Sequence, residues 1–295
     1  MSFRKFLSEL QSVRDYEQES IGDLSLGEIK AFLDTINLVS EKEKNFSFKL
    51  FENGIEVFER LEGVGGYSGI MIKSPHYIGL LIGDDKAETE FLSAYHMQSI
   101  VKKLYDLGLS SCWINIRNVS DEIKADLLTN SDKNINYLLA FGKADEKSTS
   151  QKSKSMHVQS GKSYKTNPYG AKIKTTSQDN TRLPLGEIAY LYEWGKEASY
   201  EDLGNRGLAD LFLYVRNAPS YKNKQPSRFI IKDGEAYLAI INPHNKENIT
   251  DAGIMMFTTE GMAKDLGIPG IWHCICEDQE EFIDKEYAIF AKIEL

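Results

Sequence analysis

The chain has 295 residues, of which 41% are hydrophobic and 27% are charged, a composition typical of a globular protein with one sizeable core or two smaller ones. Its formal net charge of −9 argues against nucleic acid or an anionic membrane surface as a partner, because both attract a basic face. Three cysteines are too few for a disulfide framework, and no apolar run is long enough to cross a membrane, so the sequence predicts a cytoplasmic protein.

The first half of the chain predicts a mixture of helices and strands. Apolar residues at helical spacing predict helices over 2–11, 26–39 and 88–107, the last ending at Gly108. Alternating apolar residues flank Asn53-Gly54, the preferred pair for a two-residue turn, and predict a hairpin over FSFKLFENGIEVFERL. GIMIKSPHYIGLLIG predicts a strand or a strand pair, and CWINI and NYLLAFG predict buried strands.

The composition changes after residue 143. Ser, Thr and Lys dominate residues 144–181, which predicts a long surface connection. Regular structure resumes with LPLGEIAYLYEWG, followed by a predicted helix over LGNRGLADLFLYVR and by two strands around a tight turn in FIIKDGEAYLAII. The sequence therefore predicts two halves, 1–143 and 182–295, joined by a polar linker at 144–181.

An internal repeat relates the two halves. LSAYHMQSIVKKLYDLGLSSCW (92–113) and DAGIMMFTTEGMAKDLGIPGIW (251–272) align without a gap at an offset of 159 residues. Just upstream, IMIKSPHYIGLLI resembles FIIKDGEAYLAII, with an expected slippage of one residue. The shared order of elements predicts an α+β fold in which two half-domains, each a mixed or antiparallel sheet flanked by helices, form a pseudo-dimer within one chain.

A polar segment, NAPSYKNKQPSRF (217–229), joins the predicted helix to the strand in the second half. It resembles the A-P-S-x-x-N-x-Q-P-x-R-F segment of the nitroreductase family of FMN flavoproteins, with Ser227 in place of the family's tryptophan. The family usually has R-R-S-x-R-x-[FY] near its N-terminus, and LQSVRDY (10–16) keeps the serine, the last arginine and the aromatic residue. GLSSCW (108–113) resembles the family's G-[LI]-G-[ST]-C-W, and RLP (182–184) resembles a basic segment near the flavin phosphate.

The resemblance implies an enzyme that transfers hydride from NADH or NADPH through FMN to nitroaromatics, quinones or similar acceptors. Members of the family are mostly homodimers whose flavins lie at the interface, with the A-P-S and R-S-x-R segments coming from opposite subunits. This chain has R-S-x-R in its first half and A-P-S in its second, each essentially once. It therefore resembles a fused subgroup with one intact flavin site, in which a monomer can function.

The matching positions carry expected roles toward FMN. Arg14, with Gln11 and Ser12 beside it, is the candidate for the phosphate, and Arg182 is a second cation. Lys143 is a weaker substitute for the two missing arginines. The alternative for Arg14 is a surface ion pair with Asp15 or Glu17.

The remaining candidates face the flavin ring. Asn223 both donates and accepts hydrogen bonds and suits the pyrimidine edge, with Gln225 behind it. Pro219 and Ser220 would contact the ring, and the Leu109-Ser110-Ser111 turn would offer a backbone N–H to the reactive ring nitrogen. The alternative for Asn223 is a loop residue that caps the strand entry.

Two other functions remain open from the sequence. One is a flavin-binding protein for storage or sensing without nicotinamide-dependent turnover, which the altered phosphate motif favours. The other is a degenerate pseudo-dimer that acts through protein contacts. The motifs require no catalytic acid or base, and the scattered histidines and cysteines predict no metal site.

Overall fold

The computed structural model describes residues 2–43, 45–128, 133–145, 164–166, 172–174, 182–274, 281–284 and 286–295. Most of the predicted linker lies outside these ranges. Within it, two short strands, β5 (Tyr164–Thr166) and β6 (Lys172–Lys174), pair antiparallel.

The first half builds a four-stranded antiparallel sheet. Its strands are β1 (Phe46–Phe51), β2 (His76–Ile82), β3 (Ser110–Asn115) and β4 (Asn134–Gly142), in the spatial order β1-β2-β4-β3. Its helices are α1 (Phe3–Glu9), α2 (Asp23–Glu43), α3 (Gly54–Leu61), α4 (Ala87–Asp106) and α5 (Asp121–Leu127). Every residue of β2 is buried, because this central strand is covered on both faces.

The second half repeats this sheet with two additions. Strands β8 (Ser227–Lys232), β9 (Glu235–Ile241), β10 (Trp272–Cys274) and β12 (Tyr287–Glu294) follow the order β10-β12-β9-β8. β7 (Ala189–Leu191) adds to the edge parallel to β8, and β11 (Glu281–Phe282) pairs with β12. The helices are α6 (Leu185–Ile188), α7 (Tyr200–Gly204), α8 (Ala209–Val215) and α9 (Lys246–Asp265).

The repeat predicted from the sequence is confirmed in the order of the strands and in the helix bounds. α4 at Ala87–Asp106 and α9 at Lys246–Asp265 are shifted by 159 residues at both ends. β2 at His76–Ile82 and β9 at Glu235–Ile241 show the same shift of 159 residues. The expected slippage of one residue between these strand regions is therefore wrong.

The connection into the repeated strand differs between the halves. In the second half, Asp233 and Gly234, at φ 54° and 78°, form the tight turn between β8 and β9. In the first half, residues 70–73 are not a strand, and β1 is the neighbour of β2. Helix α3 and a glycine-rich loop are inserted between them.

The hairpin predicted at Asn53-Gly54 is wrong, because a helix begins at Gly54. Val57 and Leu61, four residues apart, are buried, whereas Ile55 is exposed, so the spacing is helical. Glycine is required at 54 for close approach: its N–H donates to Pro75 O over 2.8 Å, and a Cβ would lie 2.1 Å from Ser74 O. Asn53-Gly54 favours a turn by its composition, but in the fold Gly54 lets the backbone approach that of Ser74 and Pro75.

Helices α4 and α9 pack against each other and form the seam between the halves. Gly253 of α9 approaches α4 so closely that a Cβ there would lie 2.1 Å from Phe91 O and 3.0 Å from Ala94 Cβ. Ala94 is the residue that the 159-residue offset pairs with Gly253. Contact between a residue and its own repeat mate marks the pseudo-twofold axis. One hydrophobic core contains buried residues of both halves, so the predicted intrachain pseudo-dimer of α+β half-domains is confirmed.

A buried polar network also crosses the seam. Glu90 is 3% exposed and pairs with Arg117, and Thr250 of α9 donates to Glu90 Oε1 over 2.6 Å. The hydroxyls of Tyr137 and Thr250 lie 3.1 Å apart, and the Arg117 guanidinium lies over the Tyr137 ring. These partners satisfy the carboxylate in an apolar setting.

Candidate functional site

The A-P-S segment forms a loop between α8 and β8 (residues 217–226). A 3₁₀ turn, Tyr221–Asn223, follows Ser220, and Asn223 N donates to Ser220 O over 3.0 Å. Gln225 N donates to Ser220 Oγ over 2.9 Å. Lys222, Asn223 and Gln225 have φ of 53°, 57° and 48°, a conformation that side-chain-bearing residues seldom adopt. The backbone of the loop is thus strained, and hydrogen bonds join its residues to one another.

Arg182 reaches this loop from the sequence segment that follows the linker. Its Nη1 donates to Ala218 O over 3.1 Å and to Asn223 Oδ1 over 3.0 Å. Next to it, Leu183 N donates to Gln225 Oε1 over 3.0 Å. Burial lowers the pKa of Arg182, and the nearby Arg216 charge lowers it further. Four candidates, Arg182, Ser220, Asn223 and Gln225, are therefore together, with Pro219 partly buried in the same loop.

Polar atoms without hydrogen-bond partners among the described residues flank this loop. They are the buried Arg216 Nε, just before it, and the buried Ser227 Oγ, just after it. Arg216 also lines a cleft of about 490 Å³ together with Pro184, Leu185, Gly186, Glu197, Ala198, Ser199 and Tyr200. The junction therefore retains hydrogen-bonding capacity beside a concave surface.

The N-terminal candidates lie in an extended segment after α1. Gln11, Ser12 and Arg14 are exposed, and Arg14 Nη1 lies 3.4 Å from Ser12 O. Val13 N donates to Ser111 O over 3.2 Å, which places this segment against the start of β3. The chain continues beside the end of β4, where Glu17 N donates to Lys143 O over 3.0 Å. R-S-x-R and the candidate turn after α4 are therefore neighbours.

The candidates after α4 are more buried than the N-terminal ones. Leu109 is 8% exposed, and its N–H donates to Leu104 O over 2.9 Å, within the helix end. Ser110 and Ser111 are half-buried and belong to β3, opposite Gly142 and Phe141 of β4. The expected turn is thus the entry into a strand, with both serines paired to β4.

The Cys112 thiol lies next to the N-terminal candidates. Burial raises its pKa, while the Arg14 charge and a hydrogen bond with Ser12 lower it. The net direction is upward, so the thiol stays protonated at neutral pH and is a poor nucleophile.

Two contacts connect the loop at 217–226 to the seam and to the first half. The loop at 217–226 touches α9 through Asp251, whose two carboxylate oxygens each lie 3.0 Å from Tyr221 N. The Lys222 ammonium lies 5.4 Å from the ring centroid of Tyr67, a first-half residue in the glycine-rich loop after α3. Each half therefore contributes residues around the A-P-S loop.

Asp251 was missed by the sequence motifs. It is 4% exposed, and burial raises its pKa to about 8, whereas the Tyr221 N–H and the Lys224 charge act to lower it. The repeat contained a signal: the 159-residue offset pairs Asp251 with Leu92, so a carboxylate replaces an apolar residue in one half alone.

No helix among the described residues is long and apolar enough to cross a membrane. A search of curated proteins found no match. The family model described as “Putative TM nitroreductase” matches residues 4–175.

One solved structure of low sequence identity shares the fold, and two others are similar at lower TM-scores. The crystal structure of a “putative nitroreductase” from Thermotoga maritima has a TM-score of 0.57 at 14% identity and covers 100% of this chain and 94% of its own. An FMN-dependent nitroreductase from Clostridium difficile has a TM-score of 0.39 at 21% identity, over 48% of this chain and 86% of its own. A nitroreductase with bound FMN from Bacteroides fragilis has a TM-score of 0.41 at 15% identity, over 56% of this chain and 96% of its own.

The family model covers more than half of the sequence, and the Thermotoga structure matches the full length of the fold. Membership supports an oxidoreductase function. The chain belongs to this nitroreductase family.

Proposed function

We propose that this protein is an FMN-dependent oxidoreductase that moves hydride from NADH or NADPH to nitroaromatic, quinone or similar acceptors. The observation that carries the proposal is the conformation of the loop at 217–226. Three of its residues, Lys222, Asn223 and Gln225, are held in left-handed backbone conformations, and Arg182 and Leu183 bind its side-chain oxygens. Strain of this kind concentrates at functional sites.

The described residues suit the chemistry of FMN. A phosphate requires cations and hydrogen-bond donors, and Arg14 and Ser12 supply both on an exposed segment. A flavin ring requires an edge partner that donates and accepts, and the amide of Asn223 has both groups. Arg216 Nε and Ser227 Oγ are buried beside the loop and have no hydrogen-bond partners among the described residues, so both donors can bond a ligand. The donor set therefore fits the group.

Each candidate has a role in this proposal. Arg14, with Gln11 and Ser12, would hold the phosphate. The Leu109-Ser110-Ser111 backbone would face the reactive edge of the ring, because Val13 N–H bonds Ser111 O and aligns the two segments.

The second half would bind the ring itself. Asn223 and Ser220 would orient its polar edge, and Pro219 would pack against it. Arg182 and Gln225 would keep Asn223 in position, since the Arg182 guanidinium already donates to Asn223 Oδ1 over 3.0 Å. Bound FMN would supply the redox chemistry, accepting hydride from the nicotinamide and delivering it to the acceptor.

We also propose that the chain forms a single flavin site and needs no second subunit to complete it. The A-P-S loop occurs only in the half 182–295, and Gln11-Ser12-Val13-Arg14, the counterpart of the family's R-S-x-R segment, only in the half 1–143, with 144–181 as the linker. The corresponding first-half region contains Asn37, whose amide pairs with both the N–H and the C=O of Phe48 at 2.8 Å. The Asn37 amide is therefore occupied by hydrogen bonds to the backbone of the edge strand β1.

A protein that binds flavin for storage or sensing is the second candidate function. It is favoured by Leu10-Gln11 at the positions where the family has two arginines. It is also favoured by Arg182, whose guanidinium is engaged by the loop rather than extended toward solvent. Both features reduce the charge available to a phosphate.

The absorbance spectrum of the purified protein tests the proposal and separates the two functions. The oxidoreductase predicts a yellow protein whose flavin band bleaches when NADH or NADPH is added without oxygen and returns when a quinone is added. A flavin band that neither nucleotide bleaches supports storage or sensing. A colourless protein that takes up no added FMN would contradict both.

A further inference from the structure

Asp251 places a buried carboxylate against the A-P-S loop. It is 4% exposed on α9, and both of its oxygens lie 3.0 Å from Tyr221 N. Lys224 attracts its charge and Glu247 repels it. A carboxyl group is costly to bury without a hydrogen-bond partner, whatever its charge, and the Tyr221 N–H is the donor it meets.

Tyr221 is the residue at which the loop enters its strained turn. The next residues, Lys222 and Asn223, have φ of 53° and 57°, and Gln225 has φ of 48°. Such a backbone persists only where surrounding contacts determine it. Arg182 and Leu183 hold the later part of the loop, and Asp251 holds its beginning.

The repeat separates this carboxylate from the general architecture of the helix. The position equivalent to Asp251 in α4 is Leu92, which is partly buried against the core. Thus the half that has the A-P-S loop has the carboxylate, and the half without the loop has an apolar residue. If Asp251 served only to pack the helices, its repeat mate would do the same with similar chemistry.

We propose that Asp251 is a positioning residue, which fixes the loop at 217–226 in its flavin-binding conformation through the Tyr221 N–H. Asp251 occurs in the half that has this loop, whereas its repeat mate in the half without the loop is Leu92. This inference rests on the proposed flavin site. Asp251 acts through the loop, and Ser220 and Asn223 are the residues that would touch the ring.

Three variants test the inference. Asp251→Leu installs the residue of the repeat mate and removes the acceptor, whereas Asp251→Asn keeps an acceptor oxygen at the same volume. Thr259→Val is the matched control, because it removes a buried polar group from the same helix whose hydroxyl donates to Met255 O within α9. Thermal melting of all three shows whether each variant folds.

The first measurement is amide hydrogen exchange of residues 217–226 without flavin. We expect protection of the Tyr221 amide in the unmodified chain, in Asp251→Asn and in Thr259→Val, and loss of that protection in Asp251→Leu. Equal protection in all four proteins would overturn the inference, whatever their flavin content.

The second measurement is FMN binding, followed by the change in flavin fluorescence. Asp251→Leu should weaken binding by roughly two- to tenfold, the scale of one lost hydrogen bond between uncharged groups, and Asp251→Asn should restore it. Equal weakening in Asp251→Leu and Thr259→Val would assign the effect to stability and overturn the inference. Absence of FMN binding by the unmodified chain would contradict the proposed function, and hydrogen exchange would still decide the role of Asp251.

Discussion

The close approach of helices α4 and α9 at Gly253 leads to a specific prediction about stability. Replacing this glycine by alanine adds one Cβ at the pseudo-twofold axis, 2.1 Å from Phe91 O and 3.0 Å from Ala94 Cβ. The first of these atoms belongs to the backbone of α4, so the two helices must move apart. We expect Gly253→Ala to destabilise the whole protein, because one core spans both halves.

The magnitude follows from two opposing effects. Overpacking a tight core costs about 1–3 kcal/mol. Alanine in place of glycine inside a helix contributes roughly 1 kcal/mol in the opposite direction. With a clash this short, we expect a net loss of about 1–2 kcal/mol. In a protein of this size that lowers the melting temperature by about 2–3 °C.

Gly27→Ala is the matched control for the same substitution. Gly27 also lies in a helix, α2, and a Cβ there would meet nothing within 4 Å. It should therefore stabilise the protein by up to about 1 kcal/mol. Melting curves followed by circular dichroism would compare the two variants. A Gly253→Ala variant that melts as high as Gly27→Ala would refute the close helix contact and the axis drawn through it.

Three further predictions concern the site, the seam and pH. Arg14→Ala should weaken FMN binding by roughly ten- to a hundredfold, since it removes a charge-assisted hydrogen bond worth about 1.5–3 kcal/mol. Asn223→Ala should weaken it by roughly two- to tenfold, since it removes a hydrogen bond between neutral groups worth about 0.5–1.5 kcal/mol. Unchanged affinity in both variants would remove these residues from the site. Arg117→Met should lower the free energy of unfolding by about 3–5 kcal/mol in urea, because it leaves Glu90 (side chain 4% exposed) charged and buried, and Glu90→Leu in the same chain should recover part of the loss. Burial lowers the pKa of His76, so the folded state keeps this ring neutral while the unfolded state takes up a proton below about pH 6.5. Stability should therefore fall as the pH drops below that value, and His76→Gln should reduce the slope measured by melting between pH 7.5 and 5.5.

The repeat is the part of the fold that the sequence predicts best. A gapless match over 22 residues located both seam helices, because a helix that packs against its own repeat mate must preserve its apolar pattern. Local signals were weaker where tertiary contact competed with them. Asn53-Gly54 has the composition of a turn, yet Gly54 is needed where two backbones meet, and only the folded chain brings Ser74 O within 2.1 Å of its missing Cβ.

The sequence likewise predicts some residues of the candidate site and not others. The motifs identified Arg182, Asn223 and Gln225. The hydrogen bonds Arg182–Asn223 and Leu183–Gln225 join positions 41 and 42 residues apart, and they could not be read from spacing. Asp251 belongs to no motif, because its effect passes through the backbone N–H of Tyr221, whose side-chain identity is immaterial to that bond. Differences between repeat mates, such as Asp251 and Leu92, are the signal that would have found it.

The number of flavins per chain tests the one-site pseudo-dimer most directly. Purified protein would be saturated with FMN and freed of excess, and the flavin released by denaturation would be measured against protein concentration. Its mass in solution would be determined in parallel. We predict one FMN per chain in a monomer, because each half supplies what the other lacks. Two FMN molecules per chain, or binding that occurs only in a dimer, would contradict a single site built across the seam.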